Sequence, residues 1–325
     1  MYSKEELLIF SFINSNYDIS IQNLTYKIFN FSNIKNINFF QLNRIEKIQF
    51  LKSFFSENNI GKILNIFDKI NLYKTEAEKI IKNSEEKNIK IFYYSYENYP
   101  KSLIKIKESP YVIFVKGNLP SNEELEKSFA IVGTRKPSKE GIDFARDIGN
   151  YLKKNNIYNV SGLALGIDTE GHNMSLQKTG AILGQGLDLE IYPRENIKLA
   201  EKILENNGFL LSELIPQKNL SLFSLIKRDR LQSALTSGIV IAETGIKGGT
   251  VNTFKYAREQ KKKIFISDIN KEFIEKYRKN LTIIKNSLDF ERKLKNNLEQ
   301  KKFFKSRKND TILTRKNIKR YFWWD

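Results

Sequence analysis

The chain has 325 residues, 40% of them hydrophobic, and carries a net charge of +18. It contains no cysteine and one histidine, His172, which excludes disulfides, thiolate metal sites, cysteine nucleophiles and histidine-based metal clusters. No apolar run approaches the roughly 20 residues of a membrane span, and Met1-Tyr2-Ser3-Lys4-Glu5-Glu6 lacks the basic-then-apolar order of a signal peptide. The expectation is therefore a soluble cytoplasmic protein without metal or cofactor.

Residues 1–85 predict an all-α module. Apolar residues recur at three- and four-residue spacing over 5–12, 41–55 and 60–70, and no glycine precedes Gly61. Nothing there resembles a catalytic constellation, which suits an interaction module. Residues 88–94 and 110–117 predict strands, with Tyr99-Pro100 as a turn between them. From Phe129, short apolar runs recur at 129–132, 157–160, 181–183, 209–211, 239–242 and 264–266. Helical patterns over 138–154, 167–178, 194–206 and 249–261 lie between most of them. Strands that are apolar throughout are buried on both faces. The expected fold is α/β: a Rossmann-like, doubly wound, mostly parallel sheet over 86–270, with ligands at the C-terminal strand ends. Residues 271–325 predict a basic tail, helical over 271–305, in which Lys301-Lys302-Phe303-Phe304-Lys305 and Phe322-Trp323-Trp324 interleave cations with aromatics. From Lys255 onward 22 Lys and Arg stand against 9 Asp and Glu, which suits either a solvated surface or attraction to a polyanion.

The strand ends concentrate unusual residues. Gly133-Thr134-Arg135-Lys136 follows the first run, and Ser161-Gly162-Leu163-Ala164-Leu165-Gly166-Ile167-Asp168 the second, leading to His172. Gly184-Gln185-Gly186-Leu187-Asp188 and Tyr192-Pro193 follow the third, Ser212-Glu213 the fourth, and Glu243-Thr244-Gly245 with Lys247-Gly248-Gly249-Thr250 the fifth. On one sheet edge these loops would gather cations and exposed backbone amides, a place for phosphate, which glycines let the backbone approach closely. Arg135 is read as a phosphate ligand or as the partner of Asp168 or Glu243. Asp168 and His172, four apart at a helix start, fit structural support better than catalysis. Glu213 and Glu243 fit support of the cationic turns.

The order of these pieces resembles the DNA-processing protein family called DprA, also known as Smf. The resemblance runs through the GTR turn, SGxAxGID with a nearby His, GLD followed by YP, an SE pair, an RxR segment and a Gly-rich turn, over about residues 88–267. It implies a cytoplasmic, non-catalytic protein that binds single-stranded DNA, loads the RecA recombinase in transformation and recombination, and forms a homodimer. Carried over motif by motif, it implies DNA contacts from Gly133, Thr134, Arg135 and Lys136, from Ser161 and Gly162, and from Lys227, Arg228 and Arg230. Lys247, Gly248, Gly249 and Thr250 join them, and Phe223 is a candidate for base stacking. Arg228 and Arg230 fit DNA contact and an internal ion pair equally. Here Asp229 stands where the family has Asn, Leu225 where it has Phe, and Leu165 where it often has Arg. Many family members end in a winged-helix domain, for which this tail is too short. The alternative is a Rossmann-like nucleotide hydrolase resembling the phosphoribohydrolases with a PGGxGTxxE motif, or a nucleotide sensor. Lys255 takes the place of that motif's Glu.

Overall fold

The computed structural model describes residues 1–296. Five helices come first: α1 (Lys4–Asn16), α2 (Ile19–Lys35), α3 (Arg44–Lys52), α4 (Glu57–Phe67) and α5 (Ile70–Glu86). Ser3 and Asn43 start α1 and α3 with capping boxes closed by Glu6 and Glu46. The α2 helix, spanning 19–35, lies in a stretch that periodicity left unassigned. Its N-cap is Asp18, whose carboxylate accepts the Ser20 and Ile21 amides.

The sheet follows. Its elements are β1 (Lys90–Tyr93), α6 (Lys101–Ile104), β2 (Val112–Gly117), α7 (Asn122–Lys127), β3 (Phe129–Val132), α8 (Lys139–Lys154), β4 (Asn159–Ser161), α9 (Ile167–Met174), β5 (Thr179–Ile182), α10 (Ile197–Glu205), β6 (Phe209–Ser212), α11 (Leu222–Leu235), β7 (Gly238–Ile241), α12 (Gly249–Glu259), β8 (Lys263–Ser267), α13 (Lys271–Tyr277) and β9 (Thr282–Ile284). The nine strands lie in the order β1-β2-β6-β5-β4-β3-β7-β8-β9. All pairs from β6 to β9 are parallel, and β1 and β2 add an antiparallel flank. The expected doubly wound, mostly parallel sheet is borne out.

Alternation along the strands explains the two layers. In β3, Phe129 and Ile131 pack with Phe144, Ile148 and Leu152 of α8. Ala130 and Val132 face the other way, onto Val251, Phe254 and Ala257 of α12. In β2, Ile113 and Val115 meet Leu231 and Leu235 of α11, while Val112 and Phe114 belong to the core of the N-terminal helices. That core is continuous with the sheet: Tyr111 stacks on Phe10 and Tyr26 at 5.0 Å each.

The boundary expected at 270 needs correction. Strand β9 pairs with β8 from Phe265↔Thr282 to Ser267↔Ile284, and residues 287–296 form a further helical run that seats Phe290 against Phe129 and Phe265. The sheet therefore extends into the segment read from its periodicity as a helical tail. Residues 301–305 and 322–324, with their interleaved cations and aromatics, lie outside the described residues.

Candidate functional site

Strands β3 and β7 run parallel and in register from Phe129↔Gly238 to Val132↔Ile241. The turn 133–136 and the loop 243–249 therefore leave the sheet side by side. This is the point where strand order reverses, with β4, β5 and β6 on one side of β3 and β7, β8 and β9 on the other. The Thr134 amide donates to the Glu243 carbonyl at 2.8 Å. The Glu243 carboxylate accepts the Ser138 amide at 2.7 Å and its hydroxyl at 2.9 Å, which fixes the N-cap of α8. Gly133 is required by crowding: a Cβ there would stand 2.5 Å from Ile167 Cγ1 and 2.7 Å from the Glu243 carbonyl. Gly166, at φ +77°, brings the second loop equally close, and the Ile167 amide donates to the Thr134 carbonyl at 3.2 Å.

A cleft of about 730 Å³ opens between these loops and α11. One wall carries Thr134, Arg135, Lys136 and the segment Lys247–Thr250, with Arg135, Lys136, Lys247, Gly248 and Gly249 exposed. Gly248, at φ +115°, turns the chain into α12, so that helix begins at the cleft with its first amides and the positive end of its dipole. The other wall is apolar, formed by Leu222, Leu225 and Ile226 of α11. Asp168, Arg228, Asp229 and Gln232 also line it.

The buried end of the cleft is electrostatically unbalanced. Arg228 is only 6% exposed, yet its guanidinium makes no hydrogen bond among the described residues. Its Nε is fully buried, with the nearest carboxylate oxygen, Asp229 Oδ1, at 3.7 Å. Gly162 makes the room, since a Cβ there would fall 1.6 Å from Arg228 Nη1. Asp168 accepts the Gly162 amide at 2.9 Å and the Ala164 amide at 3.4 Å, so it anchors the Gly-rich turn. Burial raises its pKa against the pull of Arg228. Burial likewise raises Asp229 to about 7, opposed by Arg228 and, more weakly, by Arg135. The buried Nε is an unmet donor, which is costly, and the remaining guanidinium donors bordering the cleft are free to serve an anion there.

Asp229 thus makes the cleft's charge depend on pH near neutrality. Its folded pKa lies above the unfolded value of 3.8, so its contribution to stability is complete below about pH 4 and is lost as pH rises through about 7. The same ionisation places a negative charge beside Arg228 and within the field of Arg135. Affinity for a polyanion is expected to fall about fivefold between pH 6 and 8.5, a difference of about 1 kcal/mol. Asp229→Asn should remove that dependence, with affinity at pH 8.5 equal to wild type at pH 6. A wild-type binding profile that is flat over this range would refute the assignment.

Several sequence-derived site residues lie elsewhere. Helix α11 separates the Lys227-Arg228-Asp229-Arg230 run by its own periodicity: Leu222, Leu225, Asp229 and Gln232 face the cleft, whereas Phe223, Lys227 and Arg230 point away from it. Arg230 is no phosphate ligand, because all five guanidinium donors are used. Nη1 reaches Glu213 Oε1 at 2.6 Å and the Lys227 carbonyl at 2.9 Å, and Nη2 reaches Glu213 Oε2 at 2.5 Å and the Glu108 carbonyl at 2.8 Å. Nε donates to that same carbonyl at 3.2 Å. Glu213 therefore supports Arg230 and not the cationic turns. Lys227 is buried against the N-terminal helices, with Nζ 2.8 Å from Gln22 Oε1 and 5.0 Å from the Tyr26 ring centre. Burial lowers its pKa to about 8. Phe223 is 40% exposed, but its ring neighbours Lys227 and does not line the cleft.

Ser161 is also withdrawn from solvent, its hydroxyl donating to the Ile131 carbonyl at 2.6 Å. Gly162 is buried beneath Arg228 and acts by its lack of a side chain. His172 is fully buried, with Nδ1 2.7 Å from Thr179 Oγ1, which itself donates to the Asn159 carbonyl. That hydroxyl can only accept from His172, so the proton sits on Nδ1. Burial lowers the imidazole to about 3, assisted by Arg228, and it stays neutral. Among the described residues no group of three or more His, Asp or Glu is placed to hold a metal ion. Sequence reading missed Gln232 and the apolar wall of Leu222 and Ile226, although a helical projection of 222–235 displays the shared face.

The family model described as DNA recombination-mediator protein A matches residues 90–296. The Smf protein of Borreliella burgdorferi is 32% identical over 196 residues, covering 59% of this chain and 60% of its own length. The DNA processing protein DprA of Streptococcus pneumoniae is 36% identical over 172 residues, covering 51% and 58%. The chain thus spans about three fifths of the length of these curated relatives. The solved structure of S. pneumoniae DprA superposes with a TM-score of 0.66 at 23% identity, covering 89% of this chain and 97% of that one, a likeness of fold. DNA processing protein A from Helicobacter pylori, a structure described for its single-stranded DNA binding mode, superposes with a TM-score of 0.57 at 27% identity, covering 64% and 96%.

Proposed function

The chain belongs to the DNA recombination-mediator protein A family, and from that premise we propose that it binds single-stranded DNA in the cleft between β3, β7 and α11. Arg228 carries the proposal: a guanidinium 6% exposed, without a hydrogen bond, opening on a cleft whose rim bears Arg135, Lys136 and Lys247. Such a group awaits an anion, and the adjoining amides of Gly248, Gly249 and Thr250 suit phosphate oxygens. The apolar wall opposite suits bases, so the strand lies with phosphates toward Arg135, Lys247 and Arg228 and bases toward Leu222, Leu225 and Ile226 of α11. Binding is electrostatic, with little sequence preference. The relatives' description as DNA processing proteins supports this reading.

The rest of the role follows from the family resemblance. The protein acts in the cytoplasm as a homodimer that protects incoming DNA and hands it to the RecA recombinase, without catalysis of its own. Among the described residues no helix is long and apolar enough to cross a membrane.

The test is fluorescence anisotropy of labelled oligo-dT and the matched duplex with the full chain at two salt concentrations. Wild type should bind the single strand more tightly, with log affinity falling by about 0.7 per phosphate contact for each tenfold rise in salt. Arg135→Ala should weaken that binding about tenfold and reduce the slope by about 0.7. Equal, weak binding of both DNAs, unaffected by the substitution, would overturn the proposal. Incubation with AMP, looking for released base, tests the hydrolase alternative.

A further inference from the structure

A second, narrower crevice adjoins the main cleft, lined among others by Arg135, Leu165, Tyr192, Pro193, Leu225 and Arg228. Arg135, Ala164, Leu225 and Arg228 line both spaces, so the two adjoin, with the arginines at the ridge they share. The chemistry changes across that ridge. On the α12 side the lining offers Lys136, Lys247 and glycine amides, which suit phosphate. On the other side the walls are aliphatic and aromatic. Leu165 stands here where the family often has a cation, which makes this flank less polar still.

Tyr192 is the exposed element of the crevice. It is 45% exposed, and neither its ring nor its hydroxyl has a partner among the described residues. Twelve large aromatics, ten Phe and two Tyr, are almost wholly buried, and Phe223, the other exposed ring among the described residues, neighbours Lys227 outside both spaces. An exposed aromatic face beside a buried guanidinium that makes no hydrogen bond matches a nucleotide, with a π face for the base and a charged donor for its phosphate.

We propose that Tyr192 is the stacking platform of a second nucleotide subsite. One base lies on its ring at the mouth of the crevice, against Leu165 and Pro193, and the phosphate joining that nucleotide to its neighbour in the main cleft lies on Arg228. The inference rests on the single-stranded DNA reading above and adds to it a minimum footprint of two nucleotides, with the strand crossing the Arg135–Arg228 ridge.

The experiment compares wild type, Tyr192→Ala and Tyr192→Phe, as full chains, on labelled dT8 and on an abasic eight-mer with the same phosphates. Tyr192→Ala should bind dT8 about tenfold more weakly, bind the abasic strand as wild type does, and leave the salt slope unchanged. Tyr192→Phe should match wild type on both, because the ring and not the hydroxyl makes the contact. Thermal unfolding of each variant checks that the fold persists. If Tyr192→Ala equals wild type on dT8, or weakens both ligands equally, the platform is refuted while the DNA reading stands. If wild type itself shows no salt-dependent binding of dT8, the DNA reading fails and this inference fails with it.

Discussion

Replacing Glu213 with alanine is expected to lower the unfolding free energy by about 3–5 kcal/mol, the cost of leaving a buried cation without its partner. Glu213 follows β6, Arg230 sits in the third turn of α11, and both are almost fully buried, with side chains 7% and 5% exposed. Burial pushes the Glu213 carboxyl up, but the Arg230 charge and its two hydrogen bonds outweigh that and hold it below the ordinary value. The Glu108 and Lys227 carbonyls accept the remaining guanidinium donors, so the pair ties α11 to the sheet and to the loop before β2. In Glu213→Ala two donors of Arg230 lose their acceptor in a place water does not reach. Against a total stability of about 5–15 kcal/mol, such a loss is large. Urea unfolding, with midpoint and slope fitted together, measures it. A loss below about 1 kcal/mol would show that Arg230 finds other partners.

Arg228, two residues earlier on the same helix, should behave in the opposite way. Arg228→Ala is expected to reduce single-stranded DNA affinity about a hundredfold, because a charged hydrogen bond made in a buried setting contributes up to about 3 kcal/mol. Arg228→Lys should recover only part of it, since an ammonium cannot reproduce the planar fork. Stability should fall less than in Glu213→Ala, because the guanidinium removed makes no hydrogen bond, although ionisation of the buried Asp168 and Asp229 becomes more costly. Asp168 and Asp229 lose the charge that lowers both their pKa values, so both should titrate higher in the variant. Oligo-dT anisotropy and urea unfolding, run on the same preparations, separate the two outcomes. Unchanged affinity with lost stability would assign Arg228 to the fold and leave the cleft without its charged floor.

The two arginines show why motif matching leaves roles open. The segment Lys227-Arg228-Asp229-Arg230 presents cations at consecutive or near-consecutive positions, and nothing local separates them. Helical phase divides them into two sets, and a contact 205 residues away in sequence, Lys227 with Gln22, decides which set faces the protein. Phe223 follows the same phase to the wrong side of the helix for base stacking. The β9 strand escaped notice because its three residues, Thr282–Ile284, are too short for alternation to register against a helical background. Tyr192 showed itself in the sequence only as half of a Tyr-Pro motif, without sign that its ring would remain unpartnered.

The sequence by itself determined every strand of the sheet but the last, the edge on which its loops gather, and the family. Buried parallel strands leave short apolar runs whose alternation with helical patterns marks them as strands, and glycine-rich turns mark where backbone must pass close to backbone. The tertiary structure alone decided which charges are spent inside the protein and which remain for a ligand. Partnership is a property of distance between residues remote in the chain. Arg230 meets Glu213 and the Glu108 carbonyl, whereas Arg228 lies over Gly162 with no hydrogen bond to its guanidinium.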